Sequence, residues 1–207
     1  VTSARIIDVS VPRDTASVEA VVVVLHGGGA RPGRTMVSPT QLSVLRMIPV
    51  ARRIAHAGGD RLAVVRLLNT ARGWDAQHTP VMDATWAVHR LRERLGDLPF
   101  GLVGHSLGGR AALLAGVAEP VRTVVALNPW VYATDDADLS GRQVLVVHGT
   151  DDRIADPVKS RTVADRIGRR TSVRWVDVPG GKHAMLRHGT VFERAAADFV
   201  VETLLPG

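Results

Sequence analysis

The sequence predicts an α/β fold: one mostly parallel sheet of about seven strands with helices on both faces. Three observations carry this. Strand-length apolar runs alternate with helical patterns along the whole chain. Most of those runs are continuous Val/Leu stretches without polar alternation, as in strands covered on both faces. The length of 207 residues suits one core and is short for two, so 1–207 reads as a single domain.

The runs are Arg5–Val11, Ala20–His26, Leu62–Leu68, Phe100–Gly104, Thr123–Leu127, Gln143–His148 and Val173–Val178. Arg5–Val11 alternates more than the others and reads as an antiparallel edge strand. Between the runs lie helices. Pro49 starts Val50–Ala57, and Gly58-Gly59 closes it. Thr79-Pro80 reads as an N-cap followed by a first-turn proline. Val81, Ala84, Val88, Leu91 and Leu95 then form an apolar stripe that Gly96 ends. Asp156-Pro157 opens a helix carrying Val158, Val163 and Ile167. Thr190 and Glu193 have capping-box spacing ahead of Phe192, Ala196, Phe199 and Thr203. Ala30–Ile48 is weakly periodic and reads as a loop with one short helix.

Composition narrows the function classes. Apolar residues make up 45% and charged residues 22%, ordinary for a soluble globular protein. No apolar stretch approaches the ~18 residues of a membrane span, so no membrane partner is expected. Absent cysteine removes disulfides and thiolate chemistry. The expected compartment is cytoplasmic, with a removed signal peptide left open. A net charge of +6 raises nucleic acid as a partner. The arginines, however, are scattered, with no basic block interleaved with aromatics. A solvated arginine-rich surface is expected, and no nucleic-acid site.

Open α/β sheets bind ligands beyond the carboxyl ends of their strands. One such end reads Gly104-His105-Ser106-Leu107-Gly108, a G-x-S-x-G pattern between an apolar strand and the helical run Leu107–Val117. So sharp a strand-to-helix turn strains its apex residue toward positive φ and needs small residues on either side. The hydroxyl of Ser106 is thereby raised above the sheet as a nucleophile. A serine nucleophile needs a base, and its tetrahedral intermediate needs donors for the oxyanion.

His26-Gly27-Gly28-Gly29 follows the second run and offers backbone amides to an oxyanion. Gly28 is expected to donate with Leu107, and Gly27 is held in reserve. The Asp151-Asp152 pair follows Gln143–His148 and supplies an acid. His183 follows the last run on a glycine-rich loop and is the expected base, with His188 as runner-up. Activity is expected to rise through roughly pH 6–8 as a histidine base deprotonates. His56, His78 and His89 read as solvated, His105 as packed beside the turn, and His26 and His148 as bonded to loop backbone. No pair of these has metal-ligand spacing, so no metal is expected. Met36, Trp74, Trp130, Tyr132 and Met185 are candidate substrate-binding walls, since each lies on a loop after a strand or beside a site residue.

The stretches "VVVVLHGGG", "GLVGHSLGG", "VLVVHGTDDRIADP" and "VPGGKHAM" together resemble the α/β-hydrolase superfamily over essentially the whole chain. They look most like its small cap-less esterases and dienelactone-hydrolase-like members. The resemblance implies a Ser106–His183–Asp152 triad. Its acid stands four residues after the strand-ending His, which selects Asp152 over Asp151. A proline that relatives often carry four residues beyond the acid is displaced here, with Asp156 at that place and Pro157 next. Only Asn128–Arg142 separates two strands where family caps enter, so no cap domain is expected. The first strand of the full family sheet is expected to be missing. Any lid comes from Ala30–Ile48 or Asn69–Thr79.

The expected function is a serine hydrolase cleaving carboxylic esters of small molecules through an acyl-enzyme, with no cofactor. Thioesters or peptides are alternative substrates for the same triad, and a non-catalytic binding protein on this scaffold is the rival from another class.

Overall fold

The computed structural model describes residues 3–30 and 36–205, so part of the expected Ala30–Ile48 loop lies outside the described residues. Seven strands form one sheet: β1 (Arg5–Ser10), β2 (Ala20–Leu25), β3 (Leu62–Leu68), β4 (Phe100–His105), β5 (Val121–Leu127), β6 (Gln143–Gly149) and β7 (Ser172–Val178). Their order is β1-β3-β2-β4-β5-β6-β7. Only β1 is antiparallel, at the edge against β3.

The described residues form six α-helices around the sheet: α1 (Leu42–Leu45), which packs on α2, then α2 (Met47–Gly58), α3 (Thr79–Leu95), α4 (Leu107–Ala115), α5 (Pro157–Ile167) and α6 (Gly189–Leu204). Strand β2 shows why both faces must be covered, since all six of its residues are buried. Val21, Val23 and Leu25 pack with α3, α4 and α5, while Ala20, Val22 and Val24 pack with α2 and α6. Alternate side chains point to opposite faces, so a continuous apolar run feeds two cores at once. No helix interrupts 128–142, so no cap enters between β5 and β6.

Several local expectations are corrected. Helix α2 begins at Met47, and Pro49 sits inside its first turn, where a missing N–H costs nothing. Helix α3 is preceded by His78 at φ 56°, and the amide of Thr79 is taken by the Asp75 carboxylate at 2.8 Å. Thr79 is therefore the first helical residue and not the cap. Helix α6 starts at Gly189, which places Thr190 within the helix and leaves no capping box. Val158 is 73% exposed, while Val163 and Ile167 carry the packing of α5. The Asp156 cap holds, its carboxylate accepting from the Val158 amide at 2.9 Å.

The strand order reverses across β2 and β4, because β3 lies on one side of β2 and β4 on the other. Loops leaving two such strands diverge and open a crevice at their carboxyl ends. The β4–α4 turn fills the base of that crevice. A methyl group on Gly104 would collide with the Gly108 carbonyl, and one on Gly108 would lie 2.6 Å from the Leu25 carbonyl. Gly104→Ala is expected to cost at least about 3 kcal/mol, since backbone on the far side cannot yield. Gly29→Ala, whose methyl meets nothing within 4 Å, is the control and should stay within about 0.5 kcal/mol. Chemical denaturation of both variants checks this.

Candidate active site

Ser106 sits at the apex of the β4–α4 turn with φ 58° and ψ −122°. A non-glycine residue at positive φ is strained and persists only where its surroundings fix it. Here the Ser106 amide donates to Leu127 at 3.0 Å, and its carbonyl accepts from Arg110 and Trp130 at 3.1 Å each. Helix α4 begins at the next residue, Leu107.

The Ser106 hydroxyl lies 2.9 Å from Nε2 of His183, and Nδ1 of His183 lies 2.8 Å from Oδ2 of Asp152. The three side chains come from the ends of β4, β6 and β7 and form a Ser-His-Asp triad. Asp151 is exposed and takes no part. His188, the runner-up base, occupies the residue before α6.

Asp152 is fixed on its other oxygen. Its Oδ1 accepts from the Ile154 amide at 2.8 Å and the Ala155 amide at 2.9 Å. Burial pushes this carboxyl up, but hydrogen bonds from His148, His183 and those two amides outweigh it. The net effect holds Asp152 well below the ordinary carboxylate range. It therefore stays charged beside His183, keeping the Nδ1 proton in place and leaving Nε2 to face the serine.

Two residues clamp the backbone of the base. Nε2–H of His105 donates to the His183 carbonyl at 2.8 Å. Burial first, and the charge of His183 second, push His105 down to about 3, so it remains neutral beside the base. Asn128, fully buried at φ 42°, donates to the carbonyls of Lys182 and His183 at 3.2 and 3.3 Å. Its Oδ1 accepts from the Gly149 amide at 2.8 Å. Asn128 thus ties the acid-bearing and base-bearing loops to the end of β5. Sequence reasoning missed it. The available signal was an asparagine at a strand end, a residue type that tolerates left-handed backbone.

His26 donates from Nδ1 to the Gly27 carbonyl at 2.7 Å and accepts at Nε2 from the Asn69 amide at 3.2 Å. His148 donates from Nε2 to the Ala155 carbonyl at 3.2 Å and stacks on Trp175. Both bond loop backbone, as expected. Among the described residues no cluster of His, Cys, Asp or Glu could hold a metal ion.

A cleft of about 1030 Å³ opens above Ser106. Gly28, Leu107, Trp74, Trp130 and Tyr132 line it, as does His183. Gly28 has φ 122°, which favours glycine, and Gly27 packs so closely that a methyl group there would lie 2.8 Å from Cβ of Ser106. Two of the expected walls are not brought to the cleft. Met185, at φ 56°, is 6% exposed and packs in the core with α6. Met36 is 57% exposed and stands outside the cleft lining. Among the described arginines Arg110 departs furthest from the solvated reading. Arg110 is 4% exposed, pairs with Asp135 through two 2.7 Å bonds, and lies between the rings of Trp74 and Tyr132.

A lid-less α/β serine hydrolase from Xanthomonas campestris superposes with a TM-score of 0.73 at 19% identity, covering 99% of this chain and 90% of that one. Dienelactone hydrolase from Anabaena variabilis gives 0.68 at 19% identity, covering 98% of each chain. The chain has the α/β-hydrolase fold. A monoacylglycerol lipase from Paleococcus ferrophilus shares this fold at 18% identity and a TM-score of 0.67, covering 97% of this chain and 99% of that one. No protein-family model and no curated protein matches the sequence. Within the α/β-hydrolase fold the expected seven strands and antiparallel edge are all present.

Two outcomes test the site's electrostatics and its clamp. The depressed Asp152 carboxyl stabilises the fold above the unfolded carboxylate range near pH ~3.9 and loses that contribution as pH falls through its folded value. The difference in thermal midpoint between wild type and Asp152→Asn should therefore narrow as pH drops from about 5 to about 2. Asn128→Ala should cost about 2 kcal/mol or more through unpaired buried groups. Steady-state kinetics should show it lowering kcat more than it raises KM, since the base shifts while the cleft walls stay.

Proposed function

We propose that the protein hydrolyses carboxylic esters of small molecules through an acyl-enzyme formed on Ser106. The observation that carries this is the unbroken hydrogen-bond chain from Ser106 through His183 to Asp152 at the floor of an open cleft. Nε2 of His183 takes the hydroxyl proton as Oγ of Ser106 attacks the acyl carbon. The carbonyl π pair moves to oxygen, giving a tetrahedral oxyanion. The amides of Gly28 and Leu107 receive it. Leu107 suits this role as the first residue of α4, whose amide has no partner within the helix. Gly28 suits it by lining the cleft with its left-handed backbone, and Gly27 is the reserve donor against Ser106. Collapse of the oxyanion expels the alcohol, which takes the proton from His183. Water then adds by the mirror of these steps and releases the carboxylic acid.

No step of this chemistry needs a metal or organic cofactor. The resemblance to small cap-less esterases supports an open site, and the uninterrupted 128–142 segment agrees with it. The substrate walls left to the proposal are Trp74, Trp130 and Tyr132.

A fluorophosphonate probe should label wild type and leave Ser106→Ala unlabelled. Equal, negligible labelling of both would remove the nucleophile. A panel of nitrophenyl esters of increasing chain length, beside a thioester and a peptide amide, should show turnover of the esters. Turnover confined to the thioester or the amide would replace the ester reading. Asp152→Asn should lower kcat by about 10⁴-fold at neutral pH by favouring the wrong tautomer.

A further inference from the structure

The cleft holds positive charge that the triad does not use. None of its described lining residues is a carboxylate, yet Arg46 and Arg72 are both among them. Nine of the described arginines pair with carboxylates, among them Arg61 with Glu19, Arg94 with Asp8, Arg110 with Asp135 and Arg174 with Glu202. Arg46 and Arg72 have no ion pair among the described residues.

Arg46 joins α1 to α2 and is half-buried, and its Nε is buried without an acceptor. Burial pushes its pKa down, although a guanidinium remains a cation at neutral pH. Its charge is felt at His105, the neighbour of the nucleophile. A half-desolvated cation with an unfilled donor costs stability unless something pairs with it. Arg72 donates Nε to the Gly29 carbonyl at 2.9 Å. That bond anchors its stem beside the proposed oxyanion loop and leaves its terminal nitrogens without a partner among the described residues. Two arginines lining one cleft, with no carboxylate among its described lining residues, match a carboxylate better than any neutral group.

We infer that the preferred ester carries a carboxylate, held by Arg46 with help from Arg72, on either its acyl or its alcohol part. This rests on the ester-hydrolase reading and adds a substrate class to it. The fit is to half-esters of dicarboxylic acids or acyl esters of hydroxy acids.

Two matched pairs separate the two placements. 4-Nitrophenyl hydrogen glutarate against 4-nitrophenyl valerate tests the acyl part. 4-Acetoxybenzoate against 4-methylphenyl acetate tests the alcohol part. The readout is the anionic-to-neutral ratio of kcat/KM for each pair in wild type, Arg46→Gln, Arg46→Lys and Arg72→Gln. The ratio should fall about 10-fold or more in Arg46→Gln for at least one pair, and part of it should return in Arg46→Lys. Added salt should lower the wild-type ratio toward that of Arg46→Gln. Should Arg46→Gln not fold, the same fall is required of Arg72→Gln. A ratio that neither substitution nor salt moves overturns the inference. If the neutral fluorophosphonate still labels Ser106 in that case, the hydrolase reading stands without it. Failure of labelling and of all turnover would remove both.

Discussion

The site depends on one close approach, that of the β4–α4 turn against the end of β2. Gly104 lets the chain fold back over the Gly108 carbonyl, and Gly108 lets α4 start against the carbonyls of Leu25 and His26. Because those contacts are backbone to backbone, the turn cannot relax sideways. Ser106 is left at φ 58° with its hydroxyl aimed into the crevice. The same approach brings the His26–Gly29 loop beside the serine, with Gly27 against its Cβ. Nucleophile and proposed oxyanion donors are thus positioned by one packing constraint.

The other half of the triad is held by polar groups in place of packing. Asp152 is buried, and its charge is sustained by two amides and two imidazoles. His183 is held through its backbone carbonyl by His105 and Asn128, which leaves its ring free to bridge acid and serine. A base on a glycine-rich loop would otherwise sample many orientations. Fixing the main chain while leaving the ring two hydrogen bonds gives it a single productive one. The cleft above is asymmetric in chemistry. Aromatic side chains steadied by Arg110 form part of its wall, and Arg46 and Arg72 line another part.

Much of this was legible as pattern. Continuous Val/Leu runs marked buried parallel strands because such strands have no solvent face to mark with polar residues. The elbow was legible because a strained turn restricts which residues can flank it. The acid was resolved only with the help of a resemblance, since Asp151 and Asp152 are adjacent and chemically identical. Local caps were less legible. Thr79 and Thr190 have the right chemistry, but Asp75 reaches the first amide of α3 and α6 simply starts earlier. Met185 beside the base looked like a wall, yet it packs in the core with residues of α6 and of α2, the latter distant in sequence.

What the sequence determined by itself is whatever depends on neighbours within a few residues: strand runs, the G-x-S-x-G turn, the order serine, acid, histidine, and the short 128–142 connection that admits no cap. Periodicity and steric clearance are local properties and are written in consecutive residues. Tertiary structure alone decided which distant groups meet. It selected Asn128 as the clamp, buried Arg110 between Trp74 and Tyr132, and left Arg46 and Arg72 in the cleft without an acid. Such pairings depend on how strands order in the sheet, and no short window of residues contains that information.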